Sequence, residues 1–228
     1  MKKCKFSVVT LILISVFFNQ AVIAQDLLVD LAKEMCLCFE SKKLKNAAET
    51  RPCYDELFQN NYSKIEDYYN TENLSEDQLM EFETKIAATT LNNCQYIYDH
   101  FPSGIVGEEK IVNKQENVVC DNLKNAKFYY LIQRPNSPIR DTTFVTISGD
   151  SFLEQMTYQD TYSLSKIVWK DHCKYELTFQ ETNDPFRKEI LEHGQVFEYE
   201  VISNTEESFF AKTVWKGRPY RYELIKLK

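Results

Sequence analysis

Seven cysteines and three histidines are the side chains of this 228-residue sequence with the most specific chemistry. Cys36, Cys38, Cys53 and Cys94 fall in the first half, Cys120 and Cys173 in the second, and Cys4 stands near the start. Thiols in such numbers suit three chemistries: a four-cysteine zinc site, a redox dithiol, or disulfides. Cys36-Leu37-Cys38 is not the Cys-x-x-Cys of a thioredoxin-like oxidoreductase. His100 ends an expected helix, His172 sits in an expected turn beside Cys173, and His193 precedes Gly194. None has a second metal ligand at helical spacing, so all three read as structural or solvent-facing.

The residues ahead of the cysteines choose among these chemistries. Lys2, Lys3 and Lys5 precede an uncharged, mostly apolar run from Phe6 to Phe18, and Val22-Ile23-Ala24 places small residues where a signal peptidase reads. This is the pattern of a secretory signal peptide over residues 1–24. Cleavage would remove Cys4 and send six cysteines to an oxidising compartment, periplasmic or extracellular, where they read as a disulfide framework. The apolar run is shorter than the roughly 20 residues a bilayer span needs, so no transmembrane anchor is expected after cleavage.

The remaining motifs are negative. No G-x-S-x-G elbow, H-E-x-x-H pair or P-loop occurs. No catalytic, metal or cofactor residue is therefore assigned. Residues 25–109 hold 7 basic and 17 acidic side chains, and residues 110–228 hold 17 of each. Without a basic stripe to neutralise phosphates, nucleic acid is not an expected partner.

The elements that position these residues change period midway. No glycine occurs between Gln25 and Ser103; then Pro102, Gly104 and Gly107 arrive together. The expected organisation is a helical domain over 25–102, a linker over 103–118 and a strand domain over 119–228. In the first, Leu28, Leu31, Ala32, Met35 and Phe39 form a helical stripe from about Asp26 to Ser41. A second helix spans about Arg51 to Tyr69. A third opens at Ser75 with a Gln78 capping box and runs past Cys94 and Ile97 until Pro102. On a helical wheel Cys36 and Cys38 lie about 160° apart. Each is therefore expected to bond one of Cys53 and Cys94, in either order.

The second half alternates. Cys173, Tyr175, Leu177 and Phe179 share one strand face, and Lys174, Glu176 and Thr178 the other. Similar runs are Lys127–Gln133, Thr142–Ile147, Phe152–Tyr158, Tyr162–Trp169, Gln195–Ser203, Ser208–Trp215 and Pro219–Leu227. Gly149-Asp150, Ser203-Asn204 and Lys216-Gly217 suit hairpin turns, Asp171-His172 a short connection, and Asn183 or Asp184 with Pro185 a short helix. The fold class expected is α+β: a disulfide-linked three-helix module, then an antiparallel, eight-stranded up-and-down barrel. A two-sheet sandwich is the alternative.

Cys120-Asp121-Asn122-Leu123-Lys124-Asn125-Ala126-Lys127-Phe128-Tyr129-Tyr130, Ile167-Val168-Trp169, Cys173-Lys174-Tyr175-Glu176-Leu177-Thr178 and Tyr222-Glu223-Leu224-Ile225-Lys226 carry a resemblance over residues 119–228. They resemble a group of small secreted Bacteroidetes-type proteins without an established function, some labelled "DNA topoisomerase IV". The resemblance implies a short lipocalin-like barrel and a Cys120–Cys173 disulfide. The group usually has Gly where this chain has Ala126. The topoisomerase label conflicts with an exported, acidic chain that lacks a phosphate-cradling loop.

An eight-stranded barrel either fills its lumen with side chains or holds one small ligand. Phe128, Tyr130, Trp169, Tyr175 and Trp215, with Phe144, Phe197 and Phe209, are the candidates for lining it. The expected function is an exported, non-enzymatic binding or interaction protein, taking a small apolar ligand or an envelope protein as partner. A secreted hydrolase and a structural envelope or adhesion component are the rival readings.

Overall fold

The computed structural model describes residues 26–106, 113–133, 139–157, 160–170 and 173–227. The expected signal peptide and the Asp171-His172 connection lie outside the described residues. The chain forms two compact units: one ends at Lys42 and resumes over Arg51–Cys94; the other takes Lys43–Thr50 and everything from Gln95 onward. Among the described residues, no helix is long and apolar enough to cross a membrane.

The first unit holds helix α1 (26–41), α2 (Arg51–Tyr69) and α3 (Glu76–Asn93). Leu31, Ala32, Met35 and Phe39 of the α1 stripe are buried, and Leu57, Ile65, Phe82 and Ile86 complete the core. Apolar residues three and four apart make one face of each helix, and burying that face stabilises helices too short to stand alone. Ser75 and Gln78 close the capping box at the start of α3. Cys36 bonds Cys94 and Cys38 bonds Cys53, so the two edges of α1 are tied to different neighbours.

The third helix is shorter than its pattern suggests. Cys94 is extended (φ −110°, ψ 99°), and a separate helix α4 spans Gln95–His100. Thr89, Thr90, Asn92 and Asn93 are weak helix formers, and they precede the half-cystine at which the helix stops. α4 belongs to the second unit, where its Tyr98 ring stands edge-on to Trp215 at 5.9 Å.

The second unit is a closed antiparallel barrel of eight strands in chain order. They are β1 (Lys127–Gln133), β2 (Arg140–Ser148), β3 (Ser151–Met156), β4 (Thr161–Trp169), β5 (Lys174–Thr182), β6 (Val196–Asn204), β7 (Ser208–Trp215) and β8 (Arg218–Lys226). Helix α5 (Pro185–Ile190) lies in the β5–β6 connection, with Asp184 as its N-cap. Inward positions alternate as the period-2 pattern requires: Thr143, Val145 and Ile147 on β2 are buried, while Phe144, a lining candidate, faces outward and is 37% exposed. Lys216 (φ +48°) and Gly217 (φ +79°) make the tight β7–β8 hairpin. Ser203 and Asn204 stay in β6 instead of turning; the turn comes at Thr205, whose hydroxyl accepts from the amides of Glu207 and Ser208. The left-handed residue ahead of β1 is Asn125 (φ +58°), so Ala126 is spared a positive φ.

Cys120 bonds Cys173 near one end of the barrel, among Leu123, Phe128, Ile147, Phe152, Ile167 and Phe209. Much of the expected linker is bound to the barrel. Gln133 donates to the Gly104 carbonyl at 2.7 Å, Val106 to the Leu131 carbonyl at 3.0 Å, and Gln115 to the Ile202 carbonyl at 2.9 Å. Among the described residues, β1 and β8 pair at Phe128–Lys226 and Tyr129–Ile225, and Ile105 bridges Ile132 farther along the same edge of β1. The cause is the need of edge N–H and C=O groups for partners. Gly104 takes φ +77°, and a Cβ there would lie 3.3 Å from the Gln133 carbonyl oxygen.

Candidate functional site: a tyrosine-lined cavity in the barrel

The barrel interior also holds polar side chains. Tyr130 (β1), Glu154 (β3), Tyr175 (β5), Tyr199 (β6) and Tyr222 (β8), with Phe152, Leu177, Ala211 and Leu224, line a cavity of about 40 Å³ that is not fully enclosed. Ligand pockets typically run to roughly 300–1,000 Å³, so the lumen is largely filled by its own side chains.

Each element delivers one group. Alternation puts Glu154 inward between Phe152 and Met156. The Asp184 carboxylate caps α5 by accepting from the Arg187 amide at 2.7 Å, which fixes the turn that carries Arg187. Arg187 Nη1 donates to Glu154 Oε2 at 2.6 Å and to Ser163 Oγ at 3.0 Å, and Nη2 reaches the Tyr130 hydroxyl at 3.4 Å. Tyr130 donates to the other Glu154 oxygen at 2.6 Å. Ser163 donates to Thr182 Oγ1, which in turn donates to the Tyr162 carbonyl. Both charged side chains of the pair are one-fifth exposed.

The tyrosines form a belt. Tyr175 and Tyr199 stack in parallel at 5.0 Å (2° between planes), Tyr199 meets Tyr222 at 6.1 Å, and Tyr222 meets Tyr130 edge-on at 5.8 Å. Burial, then the neighbouring phenols and Glu154, push the Tyr175 and Tyr199 hydroxyls far above the usual phenol range. Tyr130 is raised by burial first and by the Glu154 charge second. Burial opposes the charge on Arg187, but Glu154 and Tyr130 outweigh it and its guanidinium is held protonated. Tyr175 is only 2% exposed, yet its hydroxyl and that of Tyr199 make no hydrogen bond among the described residues.

The structure brings Tyr130 and Tyr175, of the lining candidates, to the cavity. Phe128 and Phe209 are fully buried in the apolar core, 5.8 Å apart. Trp169 packs beside Tyr175 at 5.1 Å with the Lys124 ammonium 5.4 Å from the centre of its ring, and Trp215 sits against Tyr98 and Tyr220; neither lines the cavity. Phe197 is partly buried and does not line it either. Sequence reasoning missed Glu154, Arg187, Tyr199 and Tyr222. A carboxylate on the inward parity of β3 was a readable signal for Glu154. Nothing in the connection after β5 marks Arg187.

The histidines lie elsewhere. His100 stacks on Tyr96 at 4.1 Å, and the His193 ring nitrogen Nδ1 is 2.7 Å from the Gln180 carbonyl; His172 lies outside the described residues. No group of three or more His, Cys, Asp or Glu side chains is placed to hold a metal ion among the described residues. Compared with known proteins, the chain matches no family model, no curated protein and no solved structure.

Proposed function

We propose that the chain is an exported, non-enzymatic binding protein whose ligand is held in the tyrosine-lined cavity of the barrel. One observation carries this reading: Tyr175 lines the cavity, and its hydroxyl makes no hydrogen bond to a described residue. A phenol hydroxyl can both donate and accept, so one that faces a cavity without a protein partner is available to a polar group that enters it. The lining narrows the ligand from a purely apolar molecule to one that carries a polar group.

Three disulfides fit an oxidising, non-cytoplasmic compartment. Export itself rests on the signal-peptide pattern of residues 1–24, and the likeness to small secreted Bacteroidetes-type proteins supports the same reading. Native mass spectrometry of the protein isolated from the cells that make it tests the function. A small molecule released on denaturation, and lost from Tyr175→Phe, is the expected result. A bare protein that crosslinks to one stable envelope partner would favour the structural reading. A turnover abolished by His193→Ala would favour a hydrolase.

A further inference from the structure

The charges around the cavity restrict what it can hold. The Glu154 carboxylate accepts from Tyr130 on one oxygen and from Arg187 on the other, and Arg187 is further engaged by Ser163. The pair is therefore neutral as a unit, with both carboxylate oxygens occupied. A ligand group of either sign would bring an uncompensated charge among buried rings, where desolvation is costly. A purely apolar group would leave the Tyr175 and Tyr199 hydroxyls without partners.

We infer that the group held in this cavity is uncharged and hydrogen-bonding, an amide or hydroxyl tip of a molecule whose bulk stays outside the barrel, and that the Glu154–Arg187 pair sets this preference. Size agrees: about 40 Å³, not fully enclosed, admits a small polar tip and not a whole drug-sized molecule. The lining chemistry agrees as well. Tyr175 and Tyr199 both line the cavity, and each hydroxyl can both donate and accept.

This inference rests on reading the cavity as a ligand site, and its test separates the two. Acetamide, acetate and acetamidinium are near-isosteric, planar, and respectively neutral, negative and positive at pH 7. Each is titrated into the full chain while the tyrosine ring signals are followed by NMR. Acetamide is expected to shift the Tyr175 and Tyr199 signals with the millimolar affinity of so small a molecule, with acetate and acetamidinium at least about tenfold weaker.

Glu154→Gln leaves the guanidinium charge uncompensated and is expected to turn the preference to acetate. Arg187→Gln leaves the carboxylate and is expected to turn it to acetamidinium. Should either variant fail to fold, Tyr175→Phe with Tyr199→Phe keeps the rings, removes the hydroxyls and is expected to lose acetamide binding with the fold intact. Acetate or acetamidinium binding the unmodified protein as tightly as acetamide would overturn the ligand class while leaving the ligand site standing. Binding of none of the three would overturn both.

Discussion

Arg187, on a six-residue helix between β5 and β6, bonds Glu154 on β3 at 2.6 Å and so fastens the α5 connection to a strand two places away in the barrel. α5 has no fully buried residue of its own. Its attachment depends on this side chain and on the Asp184 cap.

Removing one partner of this pair leaves a largely buried charge uncompensated. Arg187→Met or Glu154→Leu alone is expected to cost about 3 kcal/mol, whereas the double variant should lose less than the sum of the two. Urea unfolding of the four proteins in a double-mutant cycle measures the coupling. Additive losses would mean that the pair does not act as a unit.

Acid should act at a different place. Lys114 and Lys212 both bond Glu200, and those hydrogen bonds lower its carboxyl to about 2 from an ordinary 4.5. A depressed folded-state pKa gives stability that is complete above the unfolded value and is lost as pH falls from about 4.5 toward 2. Glu200→Gln is expected to flatten the pH dependence of the melting temperature within that window. An unchanged slope would place the acid sensitivity on other carboxylates.

Alkali acts through the phenols. Tyr130 and Tyr175 are raised above the ordinary value of 10, chiefly by burial. In these cases folding holds the proton, so the stability they contribute is lost as pH rises past 10. Spectrophotometric titration should show exposed tyrosines ionising first and the belt ionising only together with unfolding. A single phase centred near 10 would contradict the buried belt.

Non-reducing peptide mapping should return Cys36–Cys94, Cys38–Cys53 and Cys120–Cys173. Replacing Cys120 and Cys173 by Ala opens a loop whose ends lie 53 residues apart and is expected to cost about 4 kcal/mol. Free Cys36 and Cys38 thiols in the oxidised protein would overturn the helical pairing.

The strands were legible because alternation and turn residues agree along 127–227: Tyr175, Leu177 and Phe179 face inward as their spacing says, and Lys216-Gly217 turns as its types say. The helix break at Cys94 was not legible, because no Gly or Pro stands there and the stop coincides with a long-range bond to Cys36. The candidate site was legible only in its aromatic half. Tyr130 and Tyr175 follow from strand parity. Arg187 enters from a connection, and parity says nothing about side chains outside strands.

The narrow β1–β8 contact gives the barrel a seam. Two register pairs join these strands, against eight between β7 and β8. The sheet is therefore best regarded as a curled ribbon clipped at its meeting edges, with residues 104–106 as part of the clip. Solvent deuterium should enter the amides along that line before those of β4 and β5, so the order of labelling would trace where the ribbon meets itself.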